Sequence, residues 1–300
     1  MNTIAAQLTA QTCADVAAAG LELPEVLRII DIALQEDLGG GVDVTSQATI
    51  EPGHRAVVDL VVREPGVLCG APVAQAVFDA VASGNVTCEV LVAEGERVES
   101  GTVAITVSGS TRHILTAERT ALNLMGRMSG VATLTRRWVD EVEGTGASVR
   151  DTRKTTPGLR SLEKYAVRCG GGLNHRMSLN DAALIKDNHV AAAGGVAHAF
   201  DLVRGAWRNL SVEVEVDSLE QLAEVLAAGA DLVLLDNFDI AQLREAVQIN
   251  DGRARLEASG GLTLRSARQV AQTGVDYLAV GALTHSAPVL DIGADYREAR

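Results

Sequence analysis

Apolar residues recur along this chain with two periods, and each switch between them marks an element. Residues 1–24 are Ala-rich and predict a peripheral helix or a loose tail. A helical period follows from Leu23 to Gln35 and gives way to Glu36-Asp37-Leu38-Gly39-Gly40-Gly41, a stretch of chain breakers. Between Ala56 and Val107 the period falls to two. Val57–Val62 and Val86–Val92 read as strands, Pro72–Ala82 as a helix between them, and Glu94–Gly101 as a turn. Ala117–Met128 predicts a helix with Thr116 as its N-cap and Glu118 in its first turn.

From Val131 onward helical and strand patterns alternate. Strands are expected at Ala147–Thr152, Ala183–Lys186, Ser211–Val216, Leu232–Asp236, Arg255–Ser259 and Tyr277–Val280. The helices expected between them are Leu159–Arg168, Val190–Arg208, Leu219–Ala228, Ile240–Gln248 and Leu264–Gly274. Short, nearly continuous apolar runs suit parallel strands buried on both faces. Six of them with crossover helices favour an α/β barrel, whole or incomplete, over a doubly wound open sheet. No GxGxxG opens a helix after a strand, so there is no dinucleotide-binding fingerprint.

Composition narrows the picture. The 300 residues are 47% hydrophobic but only 3% aromatic, so the core must be built from Ala, Val, Leu and Ile. No apolar run approaches the ~18–20 residues that span a bilayer, and Met1–Glu22 lacks a basic and apolar secretory pattern. Four scattered cysteines, none in a CxxC pair, are expected to be reduced thiols in a cytoplasmic protein. The net charge of −13 argues against nucleic acid as a partner. That charge is uneven. Residues 150–186 hold eight Lys or Arg (Arg150, Arg153, Lys154, Arg160, Lys164, Arg168, Arg176, Lys186) against three acids. A cationic island in an acidic chain points to a small polyanion. A solvated basic helix face would account for Arg160, Lys164 and Arg168, but not for the cations at strand ends.

Functional residues of a parallel barrel gather at the C-terminal ends of its strands. Here those ends carry Thr152, Arg153 and Lys154, then Lys186, then Glu215, then Asp236, then Ser259-Gly260-Gly261, and last Gly281-Ala282. Arginines and lysines there can pair with carboxylates or phosphates. Glu215 and Asp236 can hold Mg²⁺ through oxygen ligands or stabilise positive charge developing on a sugar ring. Glycine turns let backbone N–H groups approach a phosphate. Taken singly, each has a bland reading: a capping carboxylate, a bridging lysine, a tight turn. His175, after Gly170-Gly171-Gly172, and His285 are ambiguous on sequence alone.

One pattern is more specific. Asp151-Thr152-Arg153-Lys154-Thr155-Thr156-Pro157-Gly158-Leu159-Arg160 resembles the quinolinate phosphoribosyltransferase family. So do Gly172-Leu173-Asn174-His175-Arg176, Leu184-Ile185-Lys186-Asp187-Asn188-His189, Glu213-Val214-Glu215-Val216, Leu235-Asp236-Asn237-Phe238 and Glu257-Ala258-Ser259-Gly260-Gly261. The resemblance runs from about residue 25 to the C-terminus. It implies an α/β fold with an N-terminal α/β sandwich over residues 25–128, joined by a return of 284–300, and an open, incomplete α/β barrel over 129–283. It further implies transfer of a phosphoribosyl group from phosphoribosyl pyrophosphate to quinolinate with decarboxylation, with Mg²⁺ as cofactor.

On that family pattern Lys154, Lys186, Glu215 and Asp236 are catalytic. Thr152, Arg153, His175, Arg176 and Lys186 contact substrate, with Lys154 and Lys186 near the phosphates. Ser259, Gly260, Gly261, Gly281, Ala282, Leu283, Thr284 and His285 form the phosphate side. The chain is expected to be a homodimer or larger, with Arg119 reaching the neighbouring site. Three competing readings stay open: a transferase acting on nicotinate, a Schiff-base lyase using Lys186, and a non-catalytic binding protein.

Overall fold

The structure is a computed structural model that describes residues 7–298. In chain order its strands are β1 (Arg55–Val62), β2 (Gly66–Val67), β3 (Val86–Val90), β4 (Arg97–Val98), β5 (Val103–Ser110) and β6 (Ser148–Arg150). They continue as β7 (Ala183–Ile185), β8 (Val212–Val216), β9 (Leu232–Asp236), β10 (Arg255–Ser259), β11 (Tyr277–Ala279) and β12 (Ile292–Glu298). The chain forms two compact units. One comprises the described residues to Leu134, Thr156–Gly171 and the segment from Ser286; the other comprises Thr135–Thr155 and Gly172–His285.

The first unit is built on an antiparallel sheet of order β12-β1-β5-β3. β12 pairs with β1 from Val62↔Ile292 to Ala56↔Glu298, so the end of the chain closes the sheet that its beginning opened. The helix Ala71–Ala82 is buried along nearly its whole length. The N-terminal segment docks against it from Ala10: Thr9 caps the helix Ala10–Ala18, and the Thr9 backbone N–H and the Thr12 hydroxyl both donate to Asp79, at 2.9 and 2.6 Å. Residues 1–6 of the expected tail lie outside the described residues. The expected turn at Glu94–Gly101 contains β4, which pairs with β2 as a two-residue ribbon.

Three expectations for the helices are corrected. The helix expected at Ala117–Met128 runs from Thr111 to Val142. Thr116 is therefore inside it and not its N-cap; its hydroxyl donates to the Arg112 carbonyl at 2.8 Å, one turn back. Gly126 and Gly130 sit in the helix where the C-terminal segment passes close by. A Cβ on Gly130 would lie 1.9 Å from the Pro288 carbonyl oxygen, and one on Gly126 would lie 3.0 Å from that of Leu290. The helix expected over Val190–Arg208 is two, Asp187–Ala193 and Val196–Ala206. Gly194 and Gly195 both take positive φ between them, +84° and +156°. Finally, the basic helix Arg160–Cys169 is not a solvated face throughout, since Lys164 is 0% exposed.

The second unit is a six-stranded parallel sheet of order β6-β11-β10-β9-β8-β7. From β7 to β11 each strand lies beside its predecessor, and β11 returns to pair with β6. A doubly wound sheet would reverse direction in its middle. This one winds in a single direction, as an open barrel does. β6 and β7 are its free edges, and Leu173 adds an isolated parallel bridge to Arg150 beyond β6. The winding places every strand's C-terminal end on one rim. Among the described residues no helix is long and apolar enough to cross a membrane.

An alanine in a helix interior usually stabilises by about 1 kcal/mol relative to glycine. Gly130→Ala is expected to do the opposite here, lowering unfolding free energy by about 1–3 kcal/mol through overpacking against Pro288. Urea unfolding followed by circular dichroism measures the sign.

Candidate active site

The rim of the second unit encloses a cavity of about 800 Å³. Thr152, Arg153 and Lys154 line it after β6, Lys186 after β7, Glu215 on β8, Asp236 at the end of β9, Ser259, Gly260 and Gly261 after β10, and Gly281, Ala282 and His285 after β11. His175 and Arg176 also line it. Residues spread over 134 positions of sequence are thus gathered into one concave surface by the parallel winding alone.

The cations are of two kinds. Arg153 and Arg176 are half-buried, and the Nε–H of each is buried with no acceptor. Burial and the nearby Arg153 charge hold the Arg176 guanidinium below the usual arginine range, against the opposing pull of Asp181 and Glu213. Arg176 is tethered by Nη1 donating to the Ala182 carbonyl at 2.9 Å. Two like charges with orphaned donors make a wall suited to an anion with more than one carboxylate. Lys154 and Lys186, in contrast, are exposed. Lys186 Nζ donates to Glu215 Oε2 at 2.6 Å.

Glycine geometry shapes the opposite side. Gly260 and Gly261 have φ of +92° and +60°. A Cβ on Gly260 would fall 2.1 Å from Asn237 Oδ1, and one on Gly281 would fall 3.0 Å from Lys154 Cδ. Asn237 takes positive φ itself, donates its backbone N–H to the Ser259 carbonyl at 2.9 Å, and donates Nδ2 to Asp236 Oδ2 at 2.7 Å. Asp236 and Glu215 offer only oxygen donors. That is the donor set of a hard cation such as Mg²⁺, with the remaining positions left to water and ligand oxygens.

Three expected site residues lie elsewhere. Leu283 and Thr284 are buried and do not line the cavity. Thr284 instead donates its hydroxyl to the Lys154 carbonyl at 2.8 Å, holding the backbone that carries that lysine. Arg119 belongs to the first unit and is an exposed residue of the long helix. Sequence reasoning missed Asn237, Leu262 and Glu257 in the lining, and Arg150 and Glu213 beside it. A signal was present: strand period two puts Glu213 with Glu215 on one face of β8, and Glu257 with Ser259 on one face of β10.

Two family models match the chain: the quinolinate phosphoribosyl transferase N-terminal domain over residues 43–129 and the C-terminal domain over residues 131–295. The chain belongs to the quinolinate phosphoribosyltransferase family. It is 56% identical to a nicotinate-nucleotide pyrophosphorylase (carboxylating) of Mycobacterium leprae over 268 residues, covering 88% of this chain and 94% of that one. The solved nicotinate-nucleotide pyrophosphorylase from Francisella tularensis superposes with a TM-score of 0.89 at 38% identity, covering 92% of this chain and 98% of that one. Human nicotinic acid phosphoribosyltransferase shares the fold alone, with a TM-score of 0.64 at 14% identity over 89% of this chain and 73% of that one.

Arg153→Gln and Arg176→Gln are each expected to weaken quinolinate binding, measured by calorimetry. Loss of one charge-assisted bond at about 1.5–3 kcal/mol corresponds to roughly 10- to 150-fold. Neither change should lower the melting temperature of the ligand-free protein, because each relieves like-charge repulsion.

Proposed function

We propose that this chain transfers the phosphoribosyl group of phosphoribosyl pyrophosphate to the ring nitrogen of quinolinate. The products are nicotinate mononucleotide, pyrophosphate and carbon dioxide, a step of de novo NAD synthesis. The observation that carries this reading is the pair of guanidinium groups with orphaned Nε–H donors, set in the same cavity as Glu215 and Asp236. A dicarboxylate satisfies both arginines, whereas nicotinate leaves one unmatched. A Schiff-base role for Lys186 finds no support, since its ammonium is held by Glu215 and is not enclosed in the apolar pocket that frees an amine.

In this reading Arg153 and Arg176 fix the two carboxylates of quinolinate, which aims the ring nitrogen at the anomeric carbon. Lys154 and Lys186 balance phosphate charge. Glu215 and Asp236 face the ribose, where negative charge stabilises an oxocarbenium-like transition state. The backbone at Ser259-Gly260-Gly261 and Gly281-Ala282 cradles the 5-phosphate; a Cβ on Gly260 would collide with Asn237, and one on Gly281 would crowd Lys154, so both turns need glycine to keep their place in the lining. Glu215 and Asp236 would also hold Mg²⁺, which supplies charge neutralisation for the departing pyrophosphate. After ribosylation the pyridinium nitrogen carries positive charge, and it stabilises the carbanion left at the adjacent carbon when carbon dioxide departs. Arg153 and Arg176 keep the ring in register through that step.

The active form in this reading is a homodimer or larger assembly in the cytoplasm, with Arg119 completing the neighbouring protomer's site. The exposure of Arg119 on its helix supports that assignment, and the net charge of −13 speaks against a nucleic-acid partner.

Purified protein with Mg²⁺ and both substrates is expected to release carbon dioxide from carboxyl-labelled quinolinate, with little turnover of nicotinate. Lys154→Ala and Arg119→Ala should each be nearly inactive and folded. Mixing the two after mild dissociation should restore activity, because some hybrid sites then hold both native residues. Activity that stays absent in the mixture would overturn the donation of Arg119.

A further inference from the structure

In and beneath the cavity lining lies a second set of charges that the transfer reaction leaves unexplained. Arg150 Nη1 on β6 donates to Glu257 Oε2 on β10 at 2.5 Å and lies 4.0 Å from Glu213 Oε1 on β8. His175 Nε2 lies 2.6 Å from Glu213 Oε2 and 3.7 Å from Glu257 Oε1. Glu213 and Glu257 are 2% and 0% exposed. Their Oε1 atoms are both buried without a hydrogen-bond partner, although oxygens of the two carboxyls lie within 4.8 Å of each other.

The imidazole cannot supply the missing proton. His175 Nδ1 accepts the backbone N–H of Arg176 at 2.7 Å, so that nitrogen keeps its lone pair. That leaves Nε2, 2.6 Å from Glu213 Oε2, as the nitrogen that donates. Asp151 is already satisfied, accepting from the His175 backbone N–H at 2.8 Å and from Asn174 Nδ2 at 2.6 Å. Two further charges act on the cluster: the Arg176 guanidinium attracts Glu213, and the Asp151 charge repels that of Glu257. On its remaining sides β9 presents Leu234, and β11 presents Tyr277, over whose ring the Arg150 guanidinium lies at 4.8 Å. Arg150 is the cation that lies within 4.0 Å of both buried carboxyls. Two ionised carboxylates with orphaned oxygens are costly in such a place.

We propose that Glu257 is a positioning residue that carries a proton at neutral pH, giving it to Glu213 Oε1 while accepting from Arg150. One proton then gives both orphaned oxygens a partner. Glu213 stays anionic to receive His175 Nε2–H, His175 stays neutral, and its Nδ1 fixes the backbone of Arg176, whose guanidinium lines the dicarboxylate site. Burial, and then the adjacent Glu213 charge, push the Glu257 carboxyl up to about 8, against the pull of Arg150. Above that pH the cluster gains a negative charge behind a pocket built for a dianion. This inference rests on the proposed reaction for its role, though not for the proton itself.

The kinetic test is a pH profile with quinolinate as the varied substrate. Wild-type kcat/KM is expected to fall about tenfold per pH unit above pH ~8, mainly through KM. Glu257→Gln offers an amide N–H to Glu213 and a carbonyl to Arg150 without titrating. It should stay within about tenfold of wild type at neutral pH and lose the alkaline limb. Glu257→Leu removes both bonds and should lose about a hundredfold or more at every pH. A Glu257→Gln enzyme that keeps the alkaline limb, or is as damaged as Glu257→Leu, overturns the proposal.

A second measurement needs no turnover. A carboxyl whose folded pKa is raised contributes stability below its ordinary value and loses it as pH rises through the folded value. The wild-type melting temperature should therefore fall, relative to that of Glu257→Gln, between about pH 5 and pH 9. A constant difference overturns the buried proton. A falling difference with no carbon dioxide released by the wild type would support the proton and overturn the reaction.

Discussion

Arg153 and Arg176 stand near each other in the wall of a parallel barrel, each with a buried Nε–H that finds no acceptor, and the rest of the site is arranged around that strain. Leaving such donors unpaired costs free energy that the fold must offset elsewhere. The offset is local and visible. Arg176 is tied to the Ala182 carbonyl through Nη1 and held at its backbone by His175. In the proposed reaction a ligand with two carboxylates would relieve the repulsion and fill both donors, turning ligand-free strain into binding selectivity. A single carboxylate relieves only half of it.

The charges fall into layers. Deepest are Arg150, Glu257, Glu213 and His175, a buried network of which His175 and Glu257 reach the cavity lining. In the wall are the two arginines. At the front, exposed Lys154 and Lys186 meet solvent, with Lys186 resting on Glu215. Each step outward trades rigidity for mobility. Rigid groups suit recognition of a flat, dianionic ring, and mobile ammonium groups suit phosphates that arrive and leave. Thr284 shows the same economy: a residue expected at the ligand instead holds the Lys154 backbone in place.

Much of this was legible before any coordinates. Short apolar runs between turn signals marked β9 and β10 to the residue, and the strand ends named Arg153, Lys154, Lys186 and both front carboxylates. Other features were hidden for definite reasons. The helix expected to end at Met128 continues through Gly130 to Val142; a sequence does not show what passes beside a glycine, and the close approach of Pro288 and Leu290 explains Gly130 and Gly126. Gly194-Gly195 sat within a helical pattern, and only its positive φ angles divide the helix in two. Glu213 and Glu257 looked like ordinary strand carboxylates, because alternation gives the face of a strand and not the neighbour across the barrel.

The sequence by itself determined the periodicities, the cationic island between residues 150 and 186, and motifs specific enough to indicate the family. These are local properties, written in residue type and spacing. Tertiary structure decided which charges meet. The strand order β6-β11-β10-β9-β8-β7 sets Arg150 against Glu257 across 107 positions and His175 against Glu213 across 38. Whether a carboxyl is ionised, a guanidinium orphaned or an imidazole neutral depends on such neighbours and on the exclusion of water. Both exist only after the chain has closed around them.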